Sequence, residues 1–322
     1  MIEYPEYVCD HPNCVEERMD VLTDVLNTLE LKGWLQAGME MTPPWRVDFL
    51  ASHDSIFHLF SSGCGYLSVE GEATPRLVES GDVVVFPFGH AHSICDERSS
   101  PLTRTVQLAY SAHCEYQPFP YEGERQKMVM LCGAFHFESP GASPLLQCLP
   151  NVIHISGEQG RMAQGFSEIV RFIARESASQ QVGTEAVLRR LTELLFIQVI
   201  RVWIGQQAGA STGWVAALRD QPISTALGLI HQFPERGWKV EELASSVALS
   251  RSAFSARFTQ LVGESPIKYL TRWRMHRARS LLKNDVKVET IARLLGYESE
   301  VAFRQAFKRE VGIPPARYRK LG

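Results

Sequence analysis

The sequence of 322 residues lacks the features of a membrane or secreted protein. No apolar run approaches the ~20 residues needed to span a bilayer. The acidic N-terminus, MIEYPEYVCDHPNCVEERMD, has no apolar core of the kind found in signal peptides. The seven cysteines are odd in number and none follows Cys148, so they do not form a disulfide framework. We therefore expect a cytoplasmic protein with reduced thiols and no membrane partner.

The net charge of −3 conceals a division of the chain into an acidic and a basic part. Residues 223–322 carry 18 Lys and Arg against 9 Asp and Glu, whereas residues 1–222 carry 15 against 27. The length predicts two or three domains. A basic end fits a polyanionic partner, and a positive solvated surface is the alternative reading.

The front of the chain is rich in short β-type segments. From Trp45 to His113, apolar stretches alternate with Gly, Pro and Ser, and KMVMLCGAFHF adds a strand at 127–137. Such evenly spaced short strands predict a small barrel or sandwich. Helical spacing of apolar residues at 16–31 predicts a short helix before them.

Two amphipathic stretches, at about 158–178 and 184–205, predict a helical hairpin after the strands. The small and polar stretch GQQAGASTG that follows is the best candidate for a linker. A surplus apolar stripe on the second helix would make the hairpin the contact of a homodimer. That stripe runs through Leu188, Leu191, Leu195 and Val202.

The strongest pattern is an internal repeat in the last hundred residues. Each unit has a short helix with an internal alanine, a tight turn, a serine able to cap a helix, and a second helix with aromatics four apart. Two such units in register on a basic segment predict a double helix-turn-helix. Ser250, Phe254, Phe258, Gly263, Pro266 and Tyr269 recur 49 positions later as Ser299, Phe303, Phe307, Gly312, Pro315 and Tyr318.

Between the units, PIKYLTRWRMHRARSLLKN predicts a long helix. Such a helix could hold the two second helices in successive major grooves, about 34 Å apart. Its basic residues are expected to face solvent or phosphate: Arg272, Arg274, Arg277, Arg279 and Lys283.

This end of the chain, from about 220 to 322, resembles the DNA-binding domain of AraC/XylS-type transcriptional regulators. The stretch IARLLGYESEVAFRQAFKREVGIPPARYR is close to that family's signature. The resemblance implies promoter DNA and RNA polymerase as partners. It also implies base-facing positions at Ser252, Ser255 and Ala256 in the first unit and at Glu300, Val301, Arg304 and Gln305 in the second.

The chemistry of these side chains supports some positions better than others. Arg304 can bind guanine with two hydrogen bonds and Gln305 can pair with adenine, whereas Ala256 offers only a methyl contact. The first unit is therefore weakly equipped to read bases. Contacts from the side chains of Arg251, Arg257 and Lys308 to the DNA backbone complete the predicted interface.

The stretch GDVVVFPFGHAH fits the motif Gly-x5-Pro-x-Gly-x2-His, so the front domain resembles a cupin β-barrel. A metal-binding cupin would add two histidines and a glutamate from an upstream strand. Here His58 is present, but Phe60 replaces the second histidine and no carboxylate follows. This set falls short of a site that activates water or dioxygen. His58 and His92 with a cysteine could still hold a divalent metal, and hydrogen-bonded structural histidines are the alternative.

The run MLCGAFHFESPGASPLLQCLPNVIHI further resembles the branch that includes bacterial reactive-chlorine-sensing regulators. That resemblance implies a redox thiol at Cys132 and a small-molecule or oxidant effector. A reactive thiolate needs a positive or metal-bound environment, which the nearby histidines would supply. The alternative is that Cys132 is a buried cysteine that serves only as a small apolar residue of the core. The predicted sensor residues are Cys132, Cys64, His58 and His92.

These patterns together predict an α+β multidomain protein. The expected domains are a cupin-like sensor barrel with a short N-terminal helix at 1–155, a helical dimerisation segment at 156–208, a linker at 209–213, and an all-α double helix-turn-helix at 214–322. We expect a transcriptional regulator that recruits or blocks polymerase, and not an enzyme. The alternatives are a metal-dependent cupin enzyme fused to a DNA-binding domain and an architectural DNA binder, which the acidic front disfavours.

Overall fold

A computed structural model of the chain describes residues 20–27, 29–97, 100–101, 104–108, 117–119, 127–137, 143–179, 181–207, 209, 212–284 and 286–320. The chain separates into two compact units. One is Leu29–Ser211, and the other joins Met1–Thr28 to Thr212–Gly322. No helix within the described ranges is both long and apolar enough to cross a bilayer.

The Leu29–Ser211 unit, which we call the cupin unit after its predicted resemblance, holds its strands in two sheets. One sheet has the order β11-β6-β3-β10-β1-β9 and the other β5-β4-β7-β2-β8. The two sheets share one apolar core, to which β1–β7 and β10 all contribute. The strands are β1 (Leu31–Met41), β2 (Arg46–Phe49), β3 (Ser55–Ser62), β4 (Cys64–Val69), β5 (Arg76–Glu79), β6 (Val83–Phe86), β7 (His92–Cys95), β8 (Arg104–Val106), β9 (Gln117–Phe119), β10 (Met128–Phe137) and β11 (Ile153–Ile155).

The sheet-rich cupin domain is as predicted, but the described strands form two facing sheets rather than one closed barrel. Burial explains the two kinds of strand sequence. In β4, buried and partly buried residues alternate after the exposed first residue, as in a strand with one face toward solvent. In β6 all four residues are buried, because the core covers one face of this sheet and the long helix Thr184–Gln206 packs on the other. The apolar runs of β3 and β10 follow from the same double burial.

The predicted helical hairpin is present, and its apolar stripe faces the chain's own sheet. The ring of Phe196 lies 5.2 Å from that of Phe135 in β10. Leu195 is fully buried and Leu188 and Leu191 are nearly so, whereas Val202 is partly buried. The expectation that this stripe forms the dimer contact is therefore corrected. The helices that follow or flank the strands are α2 (Pro144–Gln147), α3 (Gly157–Met162), α4 (Phe166–Ser177) and α5 (Thr184–Gln206).

The other unit, which we call the DNA-binding unit after its predicted role, is helical. Its first helix comes from the N-terminal end of the chain, which the sequence pattern had predicted to belong to the front domain. There Asp24 lies 3.6 Å from Nδ1 of buried His231, and Nε2 of His231 contacts the Tyr269 hydroxyl at 2.8 Å. Its helices are α1 (Val21–Asn27), α6 (Trp214–Arg219), α7 (Gln221–Gln232), α8 (Val240–Ser246), α9 (Arg251–Val262), α10 (Pro266–Lys283), α11 (Val288–Leu294), α12 (Glu300–Val311) and α13 (Pro315–Arg319).

The sequence repeat appears as a repeat of geometry. In each helix-turn-helix, a serine hydroxyl accepts a hydrogen bond from a backbone N–H three residues on and so caps the second helix. The ring of Phe258 meets that of Tyr269 at 5.9 Å and 74°, and the ring of Phe307 meets that of Tyr318 at 5.6 Å and 77°. The double helix-turn-helix is thus confirmed as two packed units, α8–α9 and α11–α12.

One buried carboxylate joins the start of β6 to β11 and α3 in the cupin unit. Asp82 precedes β6 and accepts hydrogen bonds from Nε2 of His154 at 2.8 Å and from the backbone N–H groups of Gly157 at 2.7 Å and Glu79 at 3.1 Å. Burial opposes ionisation of Asp82, but these hydrogen bonds outweigh it and lower the pKa. The ionised carboxylate therefore stabilises the junction of β6, β11 and α3.

We expect Asp82→Ala to lower the free energy of unfolding of the cupin unit by about 2 to 4 kcal/mol at pH 7, because buried donors lose their acceptor. The folded pKa lies below the unfolded one, so this contribution is complete above about pH 4 and is lost as the pH falls through the folded value. Urea unfolding followed by circular dichroism measures both effects. Glu79→Ala, at the exposed neighbouring side chain, is the control, and equal midpoints for the two variants would contradict the role of Asp82.

Candidate DNA interface and sensor site

The predicted base-facing residues lie on the solvent side of α9 and α12. Ser252 and Ala256 are exposed in α9, and Ser255 is partly exposed. In α12, Val301 is 63% exposed. Arg304, Gln305 and Lys308 are also exposed, and Glu300 is partly so. These positions are open to a duplex.

Three arginines of this surface pair with carboxylates. Nε of Arg304 donates to Glu300 at 2.6 Å, one turn earlier on α12. Nε of Arg257 donates at 2.8 Å to Asp220, whose other carboxylate oxygen caps α7. Arg251 lies 3.0 Å from Glu241. Exposed ion pairs contribute only about 0 to 1 kcal/mol, so a guanine or a phosphate can replace the carboxylate partner.

The basic residues of α10 correct a sequence expectation, because most of them are not free for phosphate. Arg274 donates from Nε to the carbonyl oxygen of Pro234 at 2.6 Å and from its terminal nitrogen to that of Arg236 at 2.9 Å. Its guanidinium also lies 5.4 Å from the ring centre of Tyr297. Arg272 pairs with Glu264, and Arg279 is partly buried. Arg277 alone among the five is exposed.

Arg274 therefore joins the two helix-turn-helix units, a role that its charge concealed in the sequence. The loop that it holds, at 234–236, precedes α8 of the first unit, and Tyr297 lies in the turn of the second. Gly296 in that turn has φ of 72°, and a Cβ atom there would overlap the carbonyl oxygen of Glu235. Glycine is required there for both reasons.

Three of the predicted sensor residues, His58, His92 and Cys132, meet in the core of the cupin unit. His58 of β3 and Cys132 of β10 are direct partners in the sheet, and Nδ1 of His58 lies 3.1 Å from Sγ of Cys132. His92 begins β7 of the other sheet, and its Nε2 lies 2.7 Å from Nε2 of His58. Phe86 stacks on the ring of His92 at 3.8 Å and Phe49 at 4.8 Å. We call these three side chains the thiol-imidazole chain.

One carbonyl group fixes the direction of every hydrogen bond in this chain. Nδ1 of His92 lies 2.8 Å from the backbone oxygen of His90, which can only accept, so Nδ1 carries a proton. In a neutral His92, Nε2 must then accept from Nε2 of His58. Nδ1 of His58 is left as an acceptor, and the thiol of Cys132 donates to it.

Burial keeps all three groups neutral. Burial lowers the pKa of His58 well below its usual value, and repulsion from His92 when that ring is protonated lowers it further. Burial also lowers the pKa of His92, to about 4, although the bond to His90 opposes this. The pKa of the Cys132 thiol is raised by burial. The expectation of protonated imidazoles beside a thiolate is therefore corrected: the resting chain is a thiol and two neutral rings.

The same geometry does not fit a metal ion. Two nitrogens on one tetrahedral ion, each about 2.0 Å from it, lie about 3.3 Å apart, whereas the two Nε2 atoms are 2.7 Å apart. Cys132 and His92 also contact opposite nitrogens of His58, so one ion cannot reach all three. Cys64, predicted with them, is exposed and does not belong to the thiol-imidazole chain. Within the described part of the protein, no three His, Cys, Asp or Glu side chains form a metal-binding group.

Comparison with known proteins covers both units. The cupin family profile matches residues 20–205, and that of a helix-turn-helix domain matches residues 243–321. An AraC-like transcription regulator of Streptomyces lividans is 31% identical over 94% of this chain and 98% of its own length. The RCS-specific transcriptional activator RclR of Escherichia coli is 24% identical, over 94% and 98% respectively.

A crystal structure of the DNA-binding domain of AdpA in complex with a target DNA is 33% identical. It covers 31% of this chain and 91% of that domain, with a TM-score of 0.30. The Streptomyces lividans and Escherichia coli relatives are transcriptional regulators, which confirms the prediction of a regulator and not an enzyme. The chain therefore belongs to the AraC family of transcription regulators, with a cupin domain in front of its helix-turn-helix domain.

Proposed function

We propose that the protein binds promoter DNA through α9 and α12 in the cytoplasm, acts on RNA polymerase there, and responds to an oxidant received at Cys132. The observation that carries the sensing proposal is the buried contact between the Cys132 thiol and His58. The family supports the DNA-binding part. The similarity to an activator named as RCS-specific supports the choice of an oxidant as effector.

The second recognition helix carries the stronger chemistry for reading bases. Arg304 can donate two hydrogen bonds to guanine, Glu300 can accept from the amino group of cytosine, and Gln305 can pair with adenine. The ion pair between Arg304 and Glu300 holds the guanidinium near the start of α12, where recognition helices contact base edges. We therefore assign most sequence discrimination to α12 and a lesser part to Ser252, Ser255 and Ala256.

Arg304→Ala should weaken binding to the cognate operator by about 1 to 3 kcal/mol and binding to random DNA much less. Fluorescence anisotropy titrations on both duplexes at one fixed salt concentration measure the difference. Arg309→Ala, which removes an exposed arginine of the same helix outside the predicted base-facing set, is the control. An equal loss for Arg304→Ala on both duplexes would assign Arg304 to the phosphate backbone instead.

A buried thiol suits a small and uncharged oxidant. Cys132 is fully buried and its neighbours in the sheet are Ala37 and His58. A charged reagent would lose its hydration on entering this core, whereas a small neutral molecule loses little. Any adduct on the sulfur must displace packed side chains, because protein cores have few voids. Oxidation of Cys132 would thereby change the packing of β3 and β10.

Cys132→Ser should abolish the response of a promoter reporter to hypochlorous acid while leaving basal DNA binding unchanged. The serine hydroxyl can still donate to Nδ1 of His58, so the hydrogen-bonded chain is kept and only the redox chemistry is removed. Cys148→Ser is the matched control, since burial raises the pKa of that thiol too, to about 12. A normal response by Cys132→Ser would remove Cys132 as the sensor.

We also propose that the protein dimerises through the outer face of α5. Val187 and Leu194 are 37% and 39% exposed, and they are two turns apart on one face of the helix. Ile197 and Arg201 continue that face, and the former is partly exposed and the latter exposed. A second copy related by a two-fold axis would cover this stripe against itself. The inner face of α5 is not available as a dimer contact, because it packs on the sheet.

Leu194→Glu should convert the dimer into monomers, because two like charges would meet at the two-fold axis. Sedimentation velocity on the full chain measures the mass, and circular dichroism checks that the fold is kept. Arg189→Glu places the same side chain on the opposite side of α5 and should leave the dimer intact. If the Leu194→Glu protein stays dimeric and folded, the interface lies elsewhere.

A further inference from the structure

The sulfur of Cys132 has one reactive neighbour among the described side chains, and that neighbour is a nitrogen. Nδ1 of His58 is 3.1 Å away and presents its lone pair to the sulfur. The other described cysteines have different surroundings. Cys95 donates to the carbonyl oxygen of Tyr66, Cys148 donates to that of Leu145, and Cys64 is exposed.

We propose that hypochlorous acid converts Cys132 and His58 into a covalent sulfenamide, with a bond between Sγ of Cys132 and Nδ1 of His58. This inference rests on the proposed oxidant response and names the chemical product that carries it. Sulfenamides form when an oxidised cysteine meets a nitrogen in place of a second thiol, and they are reversible.

The first step transfers chlorine to sulfur. The thiol of Cys132 gives its proton to Nδ1 of His58 as the sulfur attacks the chlorine of hypochlorous acid. The chlorine–oxygen bond breaks, and the departing hydroxide takes that proton back to form water. The products are a sulfenyl chloride on Cys132 and one water molecule, and His58 returns to its starting tautomer.

The second step forms the crosslink. The lone pair on Nδ1 of His58 attacks the sulfur of Cys132, and chloride leaves with the electron pair of the sulfur–chlorine bond. Nε2 of His58 passes its proton along the 2.7 Å contact to Nε2 of His92, which becomes an imidazolium. Over both steps sulfur loses two electrons, and chlorine gains them to become chloride.

The tautomer of His58 makes this reaction possible. If Nδ1 carried the proton, it would have no lone pair to offer the sulfur and Nε2 would have no proton to pass on. The bond from His92 to the His90 carbonyl oxygen sets the required form. The water formed in the first step competes for the sulfenyl chloride, but Nδ1 of His58 is already in contact with the sulfur and an imidazole nitrogen is a stronger nucleophile than water.

The product also changes the core. A bond in place of the 3.1 Å contact draws together side chains of β3 and β10, and it leaves a positive charge on a buried His92. A buried cation without a partner is unfavourable, so β7 and the loop that carries His90 must rearrange to hydrate it. Reduction of the sulfur–nitrogen bond by a thiol would restore the neutral thiol-imidazole chain.

Treating the full-length protein with one equivalent of hypochlorous acid tests the proposal. Intact-mass measurement should show a loss of about two hydrogens, and tandem mass spectrometry of a digest should find a peptide that joins Cys132 to His58. Dithiothreitol should reverse both. Cys148→Ser should give the same crosslink, and His58→Gln should give a sulfenic acid at Cys132 that dimedone traps.

Recovery of wild-type Cys132 as a dimedone adduct, as a disulfide or unmodified would overturn the sulfenamide. If Cys132→Ser still abolishes the promoter response in that case, oxidant sensing stands and only its product is different. If the promoter reporter responds normally in a strain that carries Cys132→Ser, Cys132 is not the sensor. The wild-type peptide map decides the question even if His58→Gln does not fold.

Discussion

The chemistry of the cupin unit depends on one hydrogen bond, from Nδ1 of His92 to the backbone oxygen of His90. That oxygen cannot donate, so it sets which nitrogen of each imidazole carries a proton and which way the thiol of Cys132 points. A fully buried polar chain is stable only when every member has a partner. The turn between β6 and β7 therefore sets the hydrogen bonding of a cysteine on another strand.

The DNA-binding unit depends on a different constraint, the close approach of its two halves. Gly296 admits the carbonyl oxygen of Glu235, and Arg274 holds the neighbouring carbonyl groups. The fixed spacing of α9 and α12 follows from these contacts rather than from the length of α10 alone. A charged residue thus acts as internal structure here, while the apolar Val301 lies on the surface.

The sequence predicted those features that are local or repeated. Capping serines and aromatic spacing identified both helix-turn-helix units, and the Gly-x5-Pro-x-Gly-x2-His motif located His92. The sequence grouped Cys132 with His58 and His92, but the direct contact of its sulfur with Nδ1 of His58 was not predictable, because it depends on the register of two strands 74 residues apart. The stripe of α5 was recognised as apolar, but an apolar face has the same pattern whether it covers a sheet or a second copy. Arg274 was misread because a cationic helix usually faces solvent.

The position of α1 has a consequence for how a signal can leave the cupin unit. Because α1 belongs with the C-terminal helices, the cupin unit is a sequence insertion within a discontinuous DNA-binding unit, and the backbone joins the two units at both ends of that insertion. β1 begins only four residues after α1 ends, and its Ala37 is the sheet partner of Cys132. β10 is thus hydrogen-bonded to the strand whose backbone leads directly back to α1. The segment after α5 provides a second connection, so a fragment cut there would lack one of its own helices.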